Sequence, residues 1–223
     1  MNVTDAVKSR ISTRAFLDKP VSEEMMREIL EIARWAPSGG NLQPWKVHVV
    51  MGPARDRLVD TVKKAIAANP FADEAELAIY PPKLQDPWRA RRFEVGEAMY
   101  ALLGVPREDK AARVQWLLKN YEFFGAPAGL FFSLPRQFDK GQWAHLGMFM
   151  QTLALAAEVK GLATCMQEAW AARAKTVSEF LGLGEDEQLY CGMALGFADP
   201  DAKVNSLRSS RAAVDEFTTF LTD

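Results

Sequence analysis

The sequence predicts an α+β fold in which helices surround a mixed β-sheet. Short runs rich in β-branched and aromatic residues recur along the chain, and longer stretches with helical spacing separate most of them. Hairpins are therefore not the organising unit of the sheet. Because no linker divides two self-sufficient apolar sets, we expect residues 1–223 to form a single domain.

The overall composition is that of a soluble globular protein, with 48% hydrophobic and 25% charged residues. A net charge of −2 gives no electrostatic footprint for nucleic acid or an anionic membrane. The amino terminus lacks the apolar segment of a signal peptide, and the apolar run 146–157 is too short to span a bilayer. We therefore expect a cytoplasmic protein without a nucleic-acid or membrane partner.

The few cysteines and histidines argue against a disulfide scaffold and a metal site. Cys165 and Cys191 are expected to be reduced thiols, and the strand-like flanks of Cys165 indicate a core position. His48 and His145 lie far apart in sequence without ligand-like spacing, so we expect no transition metal.

In the amino-terminal part, the sequence predicts a helix, a strand and a second helix. Ser22 is a suitable N-cap for the first helix, and Glu23 favours its positive end. Pro37 ends that helix because it disfavours helical geometry at the preceding residue. The six residues KVHVVM then form a strand, and residues 55–68 a helix.

The segment 69–87 is different, because several prolines punctuate a polar stretch without regular periodicity. Beyond it, helices are predicted at 89–103, 106–123 and 142–159. A further helix is predicted to begin at a capping box formed by Thr176 and Glu179 and to end at Gly182. Strands are predicted at 125–134, 162–166 and 188–197. The helix 142–159 is apolar all round, so we expect it to bury against both the sheet and a second subunit.

The first motif with chemical potential is SRISTR. In an extended segment, Arg10, Ser12 and Arg14 would point to one side. Two guanidinium groups and a hydroxyl suit a phosphate, although an ordinary exposed basic segment explains the same residues.

The second motif is APSGGNLQPW, between the first helix and the first strand. Its glycines allow a planar ligand to approach the backbone, and Asn41 and Gln43 could read the edge of a heterocycle. A helix–strand loop built from turn-forming residues is the alternative, but it leaves the two amides and the Pro-Trp step unexplained.

Two further motifs lie in the carboxy-terminal part. In GLATCMQEAW, the residues that follow a short strand could present backbone N–H groups to a ligand. Alternatively, the segment only connects a helix to a strand and carries a core tryptophan. NSLRSSR supplies Arg208 and Arg211, either for a phosphate or as a solvated turn. The chain contains no dinucleotide-binding glycine motif, no P-loop and no G-x-S-x-G nucleophile motif.

Taken together, these four segments resemble the FMN-dependent nitroreductase family. SRISTRAF is similar to its amino-terminal R-x-S-x-R motif, and APSGGNLQPW to its P-S-x-x-N-x-Q-P-W loop. GLATCMQEAW and GMALGFADPDAKVNSLRSSR resemble its carboxy-terminal flavin segments, and NYEFFGAP with QEAW resembles the nitrobenzoate-type branch. The resemblance spans residues 7–220. The family often has proline where this chain has Met166.

The resemblance implies a homodimer with flavin sites at its interface. The loop residues would face a flavin held mainly by the other subunit, and the arginine motifs would hold the phosphate, the ribityl chain and the pyrimidine edge. The backbone N–H of Glu168 would reach flavin N5, and no side chain is implied as a catalytic group. The implied cofactor-binding residues are Arg10, Ser12, Arg14, Pro37, Ser38, Gly39, Asn41, Gln43, Gln167, Glu168, Arg208 and Arg211.

The implied reaction is hydride transfer from NADPH or NADH, through FMN, to a small nitroaromatic acceptor, giving nitroso and hydroxylamine products. The segment 70–88 and the helices after it would cover the pocket. Phe123 and Phe124 could line it, and we expect at least one of them to pack in the core instead. Other reactions on the same fold stay open, namely quinone or enone reduction, reductive dehalogenation and flavin breakdown. A non-enzymatic flavin-binding protein is the alternative from another class.

Overall fold

The computed structural model describes residues 1–73 and 76–222 and contains a four-stranded sheet with helices on both faces. The strands are β1 (Lys46–Met51), β2 (Ala128–Pro135), β3 (Ala163–Gln167) and β4 (Glu187–Gly196). Their order is β1-β2-β4-β3, and all three pairings are antiparallel. The α+β class is confirmed. Within the described residues, the parallel component is the isolated bridge between Ser12 and Thr164.

The two central strands are covered on both faces. Along β2, Leu130 and Phe132 belong to one apolar cluster, whereas Phe131 between them belongs to the other. Successive side chains of a strand point to opposite faces, so both faces of β2 need a helical layer. This explains why β2 reads as a continuous apolar run rather than as an alternating one.

Seven α-helices form the described helical layers. They are α1 (Val3–Ser9), α2 (Glu23–Ala33), α3 (Gly52–Ala68), α4 (Trp88–Leu102), α5 (Lys110–Leu118), α6 (Lys140–Val159) and α7 (Ala174–Leu181). The predicted N-cap of α2 is confirmed, because the Ser22 hydroxyl oxygen accepts from the backbone N–H of Met25 at 3.1 Å. Residues 69–73 and 76–87 contain no regular helix or strand, as predicted.

The helix predicted at 106–123 is wrong at both ends. α5 begins only after Asp109, whose carboxylate accepts from the N–H of Ala112 at 2.9 Å. After α5 the chain continues as a 3-10 segment, in which Phe123 and Phe124 take left-handed φ values of 54° and 53°. This unfavourable backbone is held because both rings are buried in the core.

The predicted capping box at Thr176 is also wrong. α7 begins at Ala174, so Thr176 lies inside its first turn. The cap comes from a distant residue instead: the Asp73 carboxylate accepts from the backbone N–H and the hydroxyl of Thr176, at 3.2 and 3.1 Å. A side chain from the irregular segment therefore closes the amino-terminal end of α7.

The long helix α6 has one buried face and one open face. Leu146, Phe149 and Leu153 are buried against the sheet and α2, as expected. Met148 is 42% exposed on the opposite side. Burial of that side against a second subunit stays a prediction. Within the part of the chain that the structure describes, no helix has the length and apolarity needed to cross a membrane.

Candidate cofactor-binding site

A cavity of about 430 Å³ gathers five of the predicted site residues. Its walls come from α1, from the segment after it, from α4 and from the carboxy-terminal segment. The lining residues are Val7, Lys8, Arg10, Ile11, Ser12, Arg14, Val95, Leu207, Arg208, Ser209 and Arg211. We call this space the arginine cavity. It joins SRISTR and NSLRSSR, which lie about 190 residues apart in the sequence.

The extended geometry predicted for the first motif is present. Ser12 bridges to Thr164 of β3, and the Thr13 N–H donates to the Thr164 carbonyl at 3.0 Å. Thr13 is buried, whereas Ser12 and Arg14 on either side of it line the cavity. Alternation along an extended segment therefore separates the residue that anchors the motif from the residues that form the site.

The arginine cavity is strongly cationic. Among the described residues that line it, five are Lys or Arg and none is Asp or Glu. Within the described residues, no ion pair joins Arg10 or Arg14 to a carboxylate, and the Arg10 Nε is buried without a hydrogen-bond acceptor. A buried donor without an acceptor is unfavourable, so this cluster fits an anionic ligand with several oxygen atoms, such as a phosphate.

The carboxy-terminal arginines are held by their own turn. The Arg208 Nη1 donates to the carbonyls of Asn205 and Leu207, at 3.0 and 3.1 Å. The Arg211 Nη1 donates to the carbonyl and the hydroxyl of Ser209, at 3.0 and 2.6 Å. These bonds use one nitrogen of each guanidinium, so its other N–H groups can serve a ligand in the cavity.

Asn205 connects the two arginine motifs, although it was not among the predicted site residues. Its Oδ1 accepts from the Arg14 N–H at 2.9 Å. Its Nδ2 donates to the carbonyls of Ala15 and Asp199, at 2.8 and 2.9 Å. Its position at the start of NSLRSSR is the only signal in the sequence. The contacts with Arg14 and Ala15 could not be predicted, because those residues lie 191 and 190 positions away in the chain.

Replacing Asn205 by Asp is expected to weaken FMN binding by about tenfold and to lower the melting temperature. The carboxylate can still accept from Arg14, but it cannot donate to the two carbonyls, which then face a negative charge. Equilibrium FMN titration and thermal unfolding measure both effects. Asn2→Asp is the matched control, because Asn2 only accepts, from the Asp5 N–H. Equal FMN affinities in the two variants would contradict the connecting role.

The second group of predicted residues forms a separate pocket of about 360 Å³, lined in part by Pro37, Ser38, Asn41 and Gln43. The loop is held in an unusual backbone conformation. Gly40, Asn41 and Gln43 have φ values of 59°, 56° and 46°. Inside the loop, the Ser38 hydroxyl oxygen accepts from the Gln43 N–H at 2.9 Å. The glycines and the asparagine are suited to the left-handed region, which explains part of the motif.

The two groups lie near opposite ends of α6. Gly39 of the loop contacts His145, near the amino-terminal end of the helix. A cavity that shares Ile11 and Arg208 with the arginine cavity is lined by Glu158, near the carboxy-terminal end. Glu158 follows His145 by thirteen positions along the helix, a rise of about 20 Å between these two residues. One chain therefore presents two distant partial sites rather than one complete site.

The structure gives Gln167 and Glu168 specific partners. The Gln167 side chain is buried, donates to the Asn120 carbonyl at 2.8 Å and accepts from the Trp170 Nε1 at 3.2 Å. Its amide therefore serves the core, and a contact with a cofactor is left to its backbone. The Glu168 carboxylate accepts from the Tyr190 hydroxyl at 3.1 Å. Burial, followed by the charge of Glu168, raises the pKa of Tyr190.

The remaining chemical candidates belong to the core. Burial raises the pKa of the Cys165 thiol to about 11, although Arg14 and Arg10 partly oppose it. A thiol with this pKa stays protonated near neutral pH and is a poor nucleophile. Phe123 is fully buried, whereas Phe124 lines a cavity beside Arg14. In the described part of the chain, no group of three His, Cys, Asp or Glu side chains is arranged for a metal ion.

Comparison with known proteins gives consistent similarities along the chain. A sequence profile of the nitroreductase family matches residues 7–197. The 4-nitrobenzoate reductase of Pseudomonas putida is 41% identical over 216 residues, which cover 96% of this chain and 93% of that protein. The FMN and NADPH-dependent nitroreductase NfnB from Sphigopyxis sp. strain HMH matches with a TM-score of 0.96 and 43% identity, covering 100% of both chains. NfnB from Mycobacterium smegmatis, solved in complex with NADPH, matches with a TM-score of 0.92 and 34% identity, covering 98% of this chain and 97% of that chain.

Proposed function

Since the chain belongs to the nitroreductase family, we propose that it is an FMN-dependent NAD(P)H nitroreductase that reduces small nitroaromatic compounds. The observation that carries this proposal is the arginine cavity: the described residues that line it include five cations and no acid, and the buried Arg10 Nε has no acceptor among the described residues. The phosphate of FMN supplies the charge and the oxygen atoms that these groups need.

The residues of the cavity fit the different parts of FMN. Arg10, Arg208 and Arg211 would hold the phosphate, Ser12 would bond the ribityl chain, and Arg14 would lie at the pyrimidine edge. When bound, FMN takes up hydride from NAD(P)H and passes it to the acceptor. A guanidinium at the pyrimidine edge stabilises negative charge there, which favours the reduced cofactor.

The protein's own side chains hold and orient rather than react. Cys165 is buried and protonated, and the Tyr190 hydroxyl donates its hydrogen bond to the Glu168 carboxylate rather than toward an acceptor molecule. The Tyr190 contact fixes the Glu168 side chain and with it the start of the turn that follows β3. In this proposal the Glu168 backbone N–H faces the flavin, so its position matters more than its carboxylate.

The complete site is proposed to form between two copies of the chain. The loop 38–43 of one protomer would complete the arginine cavity of its partner, which accounts for two partial sites near opposite ends of α6. Exposed apolar side chains near the loop and on α6 support such an interface: Trp35 is 80% exposed, Leu42 50% and Met148 42%. Gel filtration with light scattering should give a dimer with one FMN per protomer.

The names of the relatives support a nitroaromatic acceptor and NADPH as one reductant. The Pseudomonas putida relative is a 4-nitrobenzoate reductase, and the Mycobacterium smegmatis relative was solved with NADPH. We also propose that the chain forms one domain in a reducing, cytoplasmic setting. The sheet with both faces covered and the two buried, unpaired cysteines support this.

The proposal is tested by absorbance spectra of the purified protein, before and after anaerobic NADPH or NADH. We expect flavin bands that bleach on addition and return with 4-nitrobenzoate, which is converted to its hydroxylamine. Turnover with menadione and an activated alkene serves as the comparison. Bound FMN that neither nucleotide bleaches would indicate a flavin-binding protein, and fast enone reduction without nitro reduction would replace the proposed acceptor.

A further inference from the structure

His145 contacts the backbone of the loop 38–43, although it lies outside both the arginine cavity and the loop. It lies on α6, half-buried, and its Nε2 accepts a hydrogen bond from the backbone N–H of Gly39 at 3.1 Å. Gly39 belongs to the loop 38–43, which the proposed function places against the flavin of the partner subunit. A histidine on a core helix is thus joined directly to the cofactor-facing backbone.

This bond is the loop's connection to another element. The other hydrogen bonds of the loop run within it, from Asn41 and Gln43 to Ser38, from Leu42 to Gly39, and from the Gln43 amide to Asn41. Within the described residues, the bond to His145 is therefore the one hydrogen bond that joins the loop to another element.

The loop needs such an anchor because its backbone is strained. Gln43 has a left-handed φ value of 46°, which is unfavourable for a residue with a long side chain. The approach to the imidazole is close as well. A Cβ on Gly39 would lie 3.2 Å from the His145 Cε1 and 3.3 Å from its Nε2. Glycine at position 39 therefore allows the backbone to reach the ring.

The bond requires one protonation state of the imidazole. A neutral ring that accepts at Nε2 carries its proton on Nδ1, whereas a protonated ring donates from both nitrogens. Protonation would set an N–H of His145 against the N–H of Gly39, and the bond would be replaced by a repulsive contact. Nδ1 is buried and has no partner in the described chain.

We propose that His145 is a positioning residue whose neutral imidazole holds the loop 38–43 in its cofactor-facing conformation. Flavin binding then weakens as the pH falls through the range in which imidazole takes up a proton. This inference rests on the proposed function for the role of the loop, whereas the bond itself is a property of the single chain.

The side chains around His145 show why the expected pH dependence of flavin binding is attributed to its imidazole. Residues 36–44 contain no titratable side chain, and β2 contains none either. The titratable groups on the other elements packed against α6, and on α6 itself, are Asp5 and Lys8 of α1; Glu23, Glu24, Arg27, Glu28 and Glu31 of α2; Cys165 of β3; and Lys140 and Glu158 of α6. Nearby lie Arg34, Asp139 and the pair of Tyr190 and Glu168. These side-chain types ordinarily titrate outside the range of imidazole.

The first test is the FMN dissociation constant of the holoprotein and its variants between about pH 8 and about pH 5.5, measured by flavin fluorescence. We expect wild type to bind about tenfold more weakly at the lower pH than His145→Gln, which keeps an acceptor but does not titrate. The FMN phosphate itself titrates near pH 6, so the ratio of wild type to the glutamine variant isolates the imidazole. His145→Leu should bind weakly throughout.

The second test needs no flavin. Hydrogen exchange of the peptide covering residues 36–44 is compared between variants at each pH, which removes the intrinsic pH dependence of exchange. Wild type and His145→Gln should protect the Gly39 amide equally at about pH 8, and wild type alone should lose protection at about pH 5.5. His48→Gln is the matched control and should follow wild type.

The two tests separate failure of the inference from failure of the proposed function. If wild type binds no FMN, the proposed function fails, and hydrogen exchange still decides whether His145 holds the loop. If FMN binds and is bleached by NADPH, but wild type and His145→Gln show the same pH profile and the same exchange, the positioning role is overturned and the enzyme activity stands.

Discussion

Replacing Arg10 by Ala is expected to weaken FMN binding by about a hundredfold. The Arg10 Nε is buried without an acceptor, and its guanidinium has no carboxylate partner among the described residues. Each charge-assisted hydrogen bond to a phosphate contributes about 1.5–3 kcal/mol, so two lost bonds at the lower end of this range, about 3 kcal/mol, correspond to a loss of about a hundredfold. Equilibrium titration of the flavin-free protein with FMN measures the change.

Matched variants and a second ligand separate phosphate recognition from general damage. Arg10→Lys keeps the charge but loses the planar fork, and we expect an intermediate loss of about tenfold. Riboflavin lacks the phosphate, so Arg10→Ala should bind it almost as wild type does. Arg27→Ala removes an exposed arginine that pairs with Glu23 on α2, and should leave the FMN affinity unchanged. Equal losses for FMN and riboflavin would contradict the proposed role of Arg10.

The spacing of residues within a motif could be predicted from the sequence, because local geometry determines it. Arg10, Ser12 and Arg14 alternate in an extended segment and reach one cavity. The connection to Arg208 and Arg211 followed from the family resemblance. Physical reasoning alone could not supply it, since contacts between residues about 190 positions apart depend on the whole fold. Asn205 and His145 were missed for the same reason.

The fold shows the same division between local and distant causes. The four strands were predicted near their observed positions because their composition is a local signal. The helix predicted at 106–123 failed because Phe123 and Phe124 adopt left-handed backbone to bury their rings, and no local pattern indicates this. At Thr176 the local capping signal was misleading, since the cap is Asp73, which lies 103 residues away.

Replacing Trp170 by Ala is expected to lower the free energy of unfolding by about 3–5 kcal/mol. The indole is fully buried, and its ring lies 4.7 Å from Phe123, 5.0 Å from Phe131 and 5.2 Å from Tyr121, centroid to centroid. Its removal leaves a cavity in the apolar cluster that contains Phe131. The Gln167 side-chain oxygen also loses the hydrogen bond that the indole Nε1 donates to it. Urea unfolding measures the loss. The free energy of unfolding of Trp170→Phe should lie between those of wild type and Trp170→Ala, because phenylalanine keeps most of the packing.

The same ring can be tested from the opposite side without being removed. A Cβ on Gly192 of β4 would lie 2.4 Å from the Trp170 Cδ1, a distance that atoms in contact do not adopt. Gly192→Ala should therefore force the indole to move and destabilise the protein by about 1–3 kcal/mol. The turn that carries Glu168 moves with the indole, so FMN binding should weaken together with stability.

Gly141→Ala is the matched control, because no described atom outside its own helical turn and chain neighbours lies within 4 Å of the added carbon, and alanine favours the helix. Equal stability of the two alanine variants would show that the Trp170 ring is free to move, and the rigid support that we assign to Glu168 would be wrong.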